Sequence, residues 1–266
     1  MAGMAKHGKS VTLFCEHSVS EIGENHMRLN KALSRAGLCA RRKADALIFA
    51  GAVRVNGEVV AEPGRQVDPD RDRIEVNNVP LAVNKPPCHL MLHKPVQVVS
   101  TTRDPEGRTT VLDLVPPAWR SRRLYPVGRL DFFSEGLLVL TDDGELANLL
   151  AHPRHHLPRR YEVRVRGAVP DSILDAMRRG MALSEGERLA RVEVEARSQG
   201  SDTVLRMTLH QGLNRQIRRM CRDLNLTILR LMRVSLGPLE LGDLASGSAR
   251  ELTEREVSML RKTAGR

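Results

Sequence analysis

The chain has 266 residues, 41% hydrophobic and 28% charged, which suits one large folded domain or two modest ones and excludes a fibrous or disordered protein. No run approaches the roughly 18 apolar residues of a membrane span, Val11–Cys15 is too short for a secretory signal, and the four cysteines form no C-x-x-C pair, so a soluble protein of the reducing cytoplasm is expected. The net charge of +10 is concentrated, with seven basic residues against Asp45 in Arg28–Arg54 and seven arginines against Asp202 and Asp223 in Gly200–Ser235, a pattern that fits a polyanion held at two places.

Residues 1–26 mix Gly, Ser, His and charges without period and read as a disordered extension. Leu29, Ala32, Leu33 and Ala36 then fall at helical spacing up to Gly37, and Arg41–Phe49 makes a second helix before Gly51. Ala52–Val55 and Glu58–Val60 flank Asn56-Gly57, a hairpin signal because that turn needs positive φ at both central residues. Arg73–Val76 closes a helix–helix–hairpin module over residues 27–83, and the prolines of Asn84–Pro87 mark a linker over 84–90.

The remainder, residues 91–262, alternates strands and helices. Strands are expected at Met91–Val99, Gly136–Leu140, Arg160–Arg166, Ala190–Ala196, Thr203–His210 and Ile228–Val234. Helices are expected at Gly144–His152, Pro170–Leu183, Asn214–Asn225 and Thr253–Leu260, with capping boxes at Asp142/Glu145 and Thr253/Glu256. The fold class is therefore α+β: a small helix–helix–hairpin module joined to a mixed-sheet domain of catalytic size. Four Phe, two Tyr and one Trp are too few for a base-stacking platform, so folded or duplex nucleic acid is the expected partner, with no membrane.

The string RLNKALSRAGLCARRKADALIFAGAVRVNGEVV resembles the RNA-binding domain of the small-subunit ribosomal protein S-four type. The resemblance implies phosphate contacts from Arg28, Arg41, Arg42 and Lys43, with Ser34 and Arg35 beside them. The segment GRLDFFSEGLLVLTDDGELANLLAHP is similar to the active-site segment of bacterial ribosomal-RNA pseudouridine synthases that carry such a module, and LHKPVQVVSTTRDPEGR, RRYEVRV and QGLNRQIRRM follow that family's order. Spacing alone would make Asp131 a surface acid paired with a nearby arginine. The resemblance instead implies Asp131 as the catalytic residue, Tyr161 against the target base and Arg218 paired with the carboxylate. It further implies Arg129 as a group that opens the helix and holds the flipped nucleotide, and Ile217 as an apolar wall. Arg215 and Arg219 are expected to contact RNA.

The expected reaction breaks the N1–C1′ bond of a uridine, turns the base and bonds its C5 to C1′. The carboxylate acts as nucleophile or removes a sugar proton, and the sequence leaves both open. An arginine beside it favours its charged form, and the uridine must be extruded into a pocket. No cofactor and no metal are expected. His152, His155 and His156 lack acidic or Cys partners at ligand spacing, Asp142-Asp143-Gly144 reads as a capping turn, and Glu135 near Asp131 is the rival for a glycosidase-like pair. Large-subunit ribosomal RNA is the favoured substrate of a monomeric enzyme. The alternatives are the same activity on small-subunit RNA and a non-catalytic ribosome-assembly protein. Phe132-Phe133-Ser134 departs from the small or polar residues and Thr more usual in the family.

Overall fold

The computed structural model describes residues 26–83, 85–155 and 157–265, so the expected N-terminal extension falls outside the described residues except for His26. Two compact units are present, one made of residues up to Ala32 together with Arg41–Leu81, the other of Leu33–Ala40 and the chain from Ala82 onward. No helix among the described residues is long and apolar enough to cross a membrane.

The N-terminal segment opens with β1 (Met27–Arg28), α1 (Leu29–Arg35) and α2 (Arg41–Phe49). The apolar face predicted from helical spacing is inside: Leu29, Ala32, Ala44 and Ile48 are fully buried. Asn30 ties the helices by donating to Asp45 Oδ1 at 2.7 Å. The strands β2 (Val53–Val55), β3 (Glu58–Val59), β5 (Ile74–Val76) and β6 (Val79–Pro80) form a sheet of order β3-β2-β5-β6, while β4 (Gln66–Val67) pairs with β1. Asn56 and Gly57 have φ of 53° and 88°, as the hairpin requires. A second turn of this kind, Asn77-Asn78 with φ of 51° and 64°, joins β5 to β6 and was not expected from sequence.

In the other unit the strands are β7 (His89–Lys94), β8 (Tyr125–Pro126), β9 (Glu135–Thr141), β10 (Arg159–Val165), β11 (Glu193–Gln199), β12 (Asp202–Leu209), β13 (Ile228–Leu236), β14 (Leu239–Glu240) and β15 (Ala249–Glu251). They make one mixed sheet of order β11-β12-β10-β13-β9-β7-β15, with β8 on β9 and β14 on β13. The helices are α3 (Gly144–Ala151), α4 (Asp171–Arg179), α5 (Gln216–Asp223) and α6 (Glu254–Ala264). Strands β7 and β9 are covered on both faces. Met91, Leu137 and Val139 pack with Leu146 and Leu260 of α3 and α6, whereas Leu90, Leu92, Leu138 and Leu140 pack with Val111, Val115 and Leu124. That two-sided burial explains why these strands read as unbroken apolar runs. A separate core under β10, β11 and β12 is filled by Leu174, Met177, Ile217 and Met220 of α4 and α5.

Several boundaries differ from expectation for local reasons. The strand expected to run to Val99 stops at Lys94, whose side chain turns fully inside ahead of Pro95, and Val99 makes only an isolated bridge to Thr110. The strand expected at Ala190–Ala196 is shifted to Glu193–Gln199, in register with β12. Asp143, not Asp142, caps α3, accepting from the backbone N–H of Glu145 and Leu146; Asp142 instead accepts from Cys88 N at 2.7 Å and pairs with Arg122. Helix α5 is shorter than Asn214–Asn225 because Arg215 takes a left-handed conformation, φ 49°.

The Thr253/Glu256 capping box is formed, and Arg250 grips the same carboxylate with both terminal nitrogens, at 2.6 and 2.9 Å. These hydrogen bonds, opposed by burial, hold the Glu256 carboxyl down at about 2 from an ordinary 4.5. The folded value lies below the unfolded one, so the contribution to stability is complete above pH 4.5 and is lost as pH falls through about 2. Glu256→Gln is expected to melt about 2–4 °C below wild type at pH 7. Melting curves recorded at falling pH should show the two proteins converging; a constant gap down to pH 2 would contradict this account.

Candidate active site

The site is built around the turn between β8 and β9, with side chains supplied by β10, β13 and α5. Gly128 takes a φ of 74° and starts the turn that presents Asp131. The turn is pinned from several sides. The Ser100 hydroxyl donates to Leu130 O at 2.9 Å and accepts from Leu130 N at 3.1 Å, and Gln97 N donates to Phe132 O at 2.7 Å. Lys94, with no exposed surface, donates from Nζ to Pro95 O (2.9 Å), Ser134 O (2.8 Å) and Asp131 O (3.2 Å). Burial lowers the Lys94 ammonium to about 8, against the opposing pull of Asp131 and Glu135. Gly136 follows with a φ of 110°, and a Cβ there would lie 2.2 Å from Arg233 O. Only glycine lets β9 approach β13 this closely, where the two strands pair in parallel.

Asp131 points into a cleft of about 460 Å³ whose lining includes Arg129, Tyr161, Arg215, Ile217 and Arg218. Helix α5 carries Ile217, buried, and Arg218. Arg218 Nε stands 3.5 Å from Asp131 Oδ2, an ion pair too long for a good hydrogen bond. Its Nη2 donates to Phe133 O at 2.8 Å and to Ser134 Oγ at 3.1 Å, so the arginine is anchored to the same turn as the carboxylate. Burial pulls the Arg218 guanidinium below its usual value, and Asp131 opposes the shift. Within the unexpected Phe132-Phe133-Ser134 string, Ser134 lines the cleft, whereas Phe133 is 62% exposed with its ring edge-on to Phe132.

The basic segment of residues 200–235 is divided by the fold. Arg206, Arg219, Arg222 and Arg230 are taken up by Glu162, by Glu185 and Glu187, by Glu185 and Asp223, and by Glu135 respectively. The other three, Arg215, Arg218 and Arg233, line the cleft. Arg219, expected to contact RNA, is thus held by two carboxylates at 3.0 and 2.6 Å, and any phosphate has to compete with both. Glu135, the rival partner of Asp131, is paired with Arg230 and is absent from the cleft lining. His152 borders the cleft, while His156 is outside the described residues. In the N-terminal segment Arg28, Arg35, Arg41, Arg42 and Lys43 are all exposed.

Three groups escaped the sequence reading. Lys94, within the LHKPVQVVSTTRDPEGR string, fastens the Asp131 turn. Arg159 and Arg233 also line the cleft, so five arginines surround a single carboxylate among the described lining residues. Strand alternation around Tyr161 could have placed Arg159 beside it; nothing local marks Arg233.

The family model for RNA pseudouridylate synthase matches residues 89–223, and that for the S4 domain matches residues 27–72. An RNA pseudouridine synthase of Aquifex aeolicus, itself uncharacterized, is 39% identical over 90% of this chain and 95% of its own length. The ribosomal large subunit pseudouridine synthase B of Bacillus subtilis is 39% identical over 89% of this chain and 96% of its own. A crystal structure of a pseudouridylate synthase superposes with a TM-score of 0.62 at 28% identity, covering 88% of this chain and 99% of that one. With its mixed sheet, its carboxylate–arginine cleft and these likenesses along nearly its whole length, the chain belongs to the RNA pseudouridylate synthase family, in the branch that carries an S4 domain.

Proposed function

We propose that this protein converts a uridine of large-subunit ribosomal RNA to pseudouridine, with Asp131 as the reacting carboxylate. The carrying observation is the Asp131–Arg218 pair, fixed to one turn inside a cleft with Tyr161 and a surplus of arginines. The reaction is redox-neutral and conserves every atom: the N1–C1′ bond breaks, C5 bonds to C1′, C5 loses a proton and N1 gains one. It asks for no cofactor. Whether the carboxylate attacks the sugar or removes a sugar proton, it must be ionised and held still, and the hydrogen-bonded turn supports both. Tyr161 and Ile217 flank the turning base, while Arg129 and Arg215 hold the extruded nucleotide, whose unstacking costs a few kcal/mol. The exposed Arg28, Arg35, Arg41, Arg42 and Lys43 supply phosphate contacts. In this reading residues 27–83 bind RNA, 84–90 link, and 91–262 catalyse, in a cytoplasmic monomer. Arg219 is left out of the RNA contacts because its charge is already neutralised. The large-subunit substrate is supported by the Bacillus subtilis relative, which is named a ribosomal large subunit pseudouridine synthase.

Pseudouridine mapping in both ribosomal RNAs from cells lacking the protein tests this directly. One large-subunit site should disappear; loss confined to the small subunit would move the substrate, and no loss in either would refute the reaction. Purified variants add a second check. Arg218→Ala is expected to lower activity about a hundredfold by releasing Asp131 and its turn, and to cost about 1–3 kcal/mol. Arg219→Ala, which breaks only partly exposed ion pairs, should leave stability and activity near wild type. Equal losses in the two variants would mean that the face of α5 has been misassigned.

A further inference from the structure

We infer that Arg159 and Arg233 form a subsite for a backbone phosphate of the RNA strand that carries the target uridine. The inference rests on the function proposed above and adds a ligand group to the same cleft.

The geometry begins with strand pairing. Tyr161 of β10 lies opposite Arg233 of β13, and Arg159 precedes Tyr161 by two residues, which puts it on the same face. All three line the cleft. Arg233 is only 4% exposed; its Nε donates to Leu137 O at 2.7 Å, and its Nη2 is buried with no hydrogen-bond partner. Arg159 lies against the backbone of Gly212, where an added Cβ would stand 3.6 Å from its Nη1. The single carboxylate among the described lining residues, Asp131, is already paired with Arg218. Burial depresses the Arg159 guanidinium; Tyr161 opposes the fall and the neighbouring Arg233 adds to it.

Two neighbouring cations, withdrawn from water and without an anion, are costly to a free protein. Four of the seven arginines in residues 200–235 have carboxylate partners away from the cleft, and the other three, Arg233 among them, line it. Arg159 and Arg233 are left out of that scheme at the one place where RNA must enter. A phosphodiester carries one negative charge and oxygens that fit the guanidinium fork. Arg159 supplies the direct contact, and Arg233, underneath, supplies charge. A phosphate fixed beside Tyr161 would hold the strand while the base turns.

The test uses the full-length protein and an unmodified transcript of large-subunit ribosomal RNA, measuring affinity across a salt series, isomerisation, and the melting temperature of the RNA-free protein. Arg159→Gln should weaken RNA binding about ten- to a hundredfold and reduce the salt slope by about one. Its kcat/KM should fall chiefly through KM. The RNA-free variant should melt higher, by about 2–4 °C, because a repelling charge has gone. Arg159→Lys should restore the slope and most of the affinity. A purely structural arginine would give the reverse: a lower melting temperature with unchanged affinity and slope, and that result would overturn the inference. If inorganic phosphate at matched ionic strength raises the melting temperature of wild type but not of Arg159→Gln, while RNA affinity is equal in both, the site serves a small free anion and the RNA assignment fails. Failure of the underlying reading looks different: wild type would form no pseudouridine in the transcript, or Asp131→Asn would still form it.

Discussion

Asp131→Asn is expected to abolish pseudouridine formation, by at least about 10⁴-fold, the scale on which enzymes lose activity when a reacting side chain is removed. The substitution is isosteric, so the turn should survive: Lys94, Ser100 and Gln97 hold it through backbone atoms of Asp131, Leu130 and Phe132, none of which changes. Arg218 also keeps its bonds to Phe133 O and Ser134 Oγ. Folding and RNA affinity should therefore stay close to wild type, and affinity could rise slightly because a negative charge leaves a cleft that receives phosphates. The measurement is pseudouridine yield per enzyme over hours, with binding followed in parallel. Turnover by Asp131→Asn beyond traces from deamidation would remove Asp131 from the chemistry.

Lys94→Met should damage both stability and rate, although the side chain has no exposed surface. Three backbone carbonyls, of Pro95, Asp131 and Ser134, lose their donor. At about 1–3 kcal/mol for each unsatisfied buried group, offset by no longer burying a charge, the net loss is about 2–4 kcal/mol. That corresponds to roughly 4–16 °C in melting temperature. Slackening of the turn by about 1 Å should cost about a hundredfold in kcat, while RNA affinity changes little. The same lysine gives a pH dependence. Its folded value of about 8 lies below the ordinary 10.5, so between these limits the folded protein releases the proton first. The group therefore makes stability rise with pH across this window. The neutral amine, however, has only two N–H donors for three carbonyls. Activity is expected to fall above pH 8 without a parallel fall in melting temperature, and Lys94→Met should lack that limb of the profile. A limb retained in the variant would assign it to another group.

The α+β class, the basic helix pair, the Asn56-Gly57 hairpin and the Thr253 cap are legible in the sequence because each depends on residues within a few positions of one another. A positive-φ turn, a capping box and a 3.6-residue period are local constraints, and any structure containing these segments must satisfy them. The family was equally legible, since its strings occur in order along the chain. What the strings did not contain was partnership. Arg218 and Arg219 are neighbours in sequence, yet α5 turns one toward Asp131 and the other toward Glu185 and Glu187. Asp142 was the expected cap, but Cys88 and Arg122 claim it, and Asp143 caps the helix instead. Lys94, Arg159 and Arg233 acquire their roles only because β7, β10 and β13 bring them to the Asp131 turn and its cleft from 37, 28 and 102 residues away along the chain. Local conformation is set by neighbours in the chain, whereas the burial and pairing of a charge are set by whatever the sheet order places beside it, and that order appears only once the chain has folded.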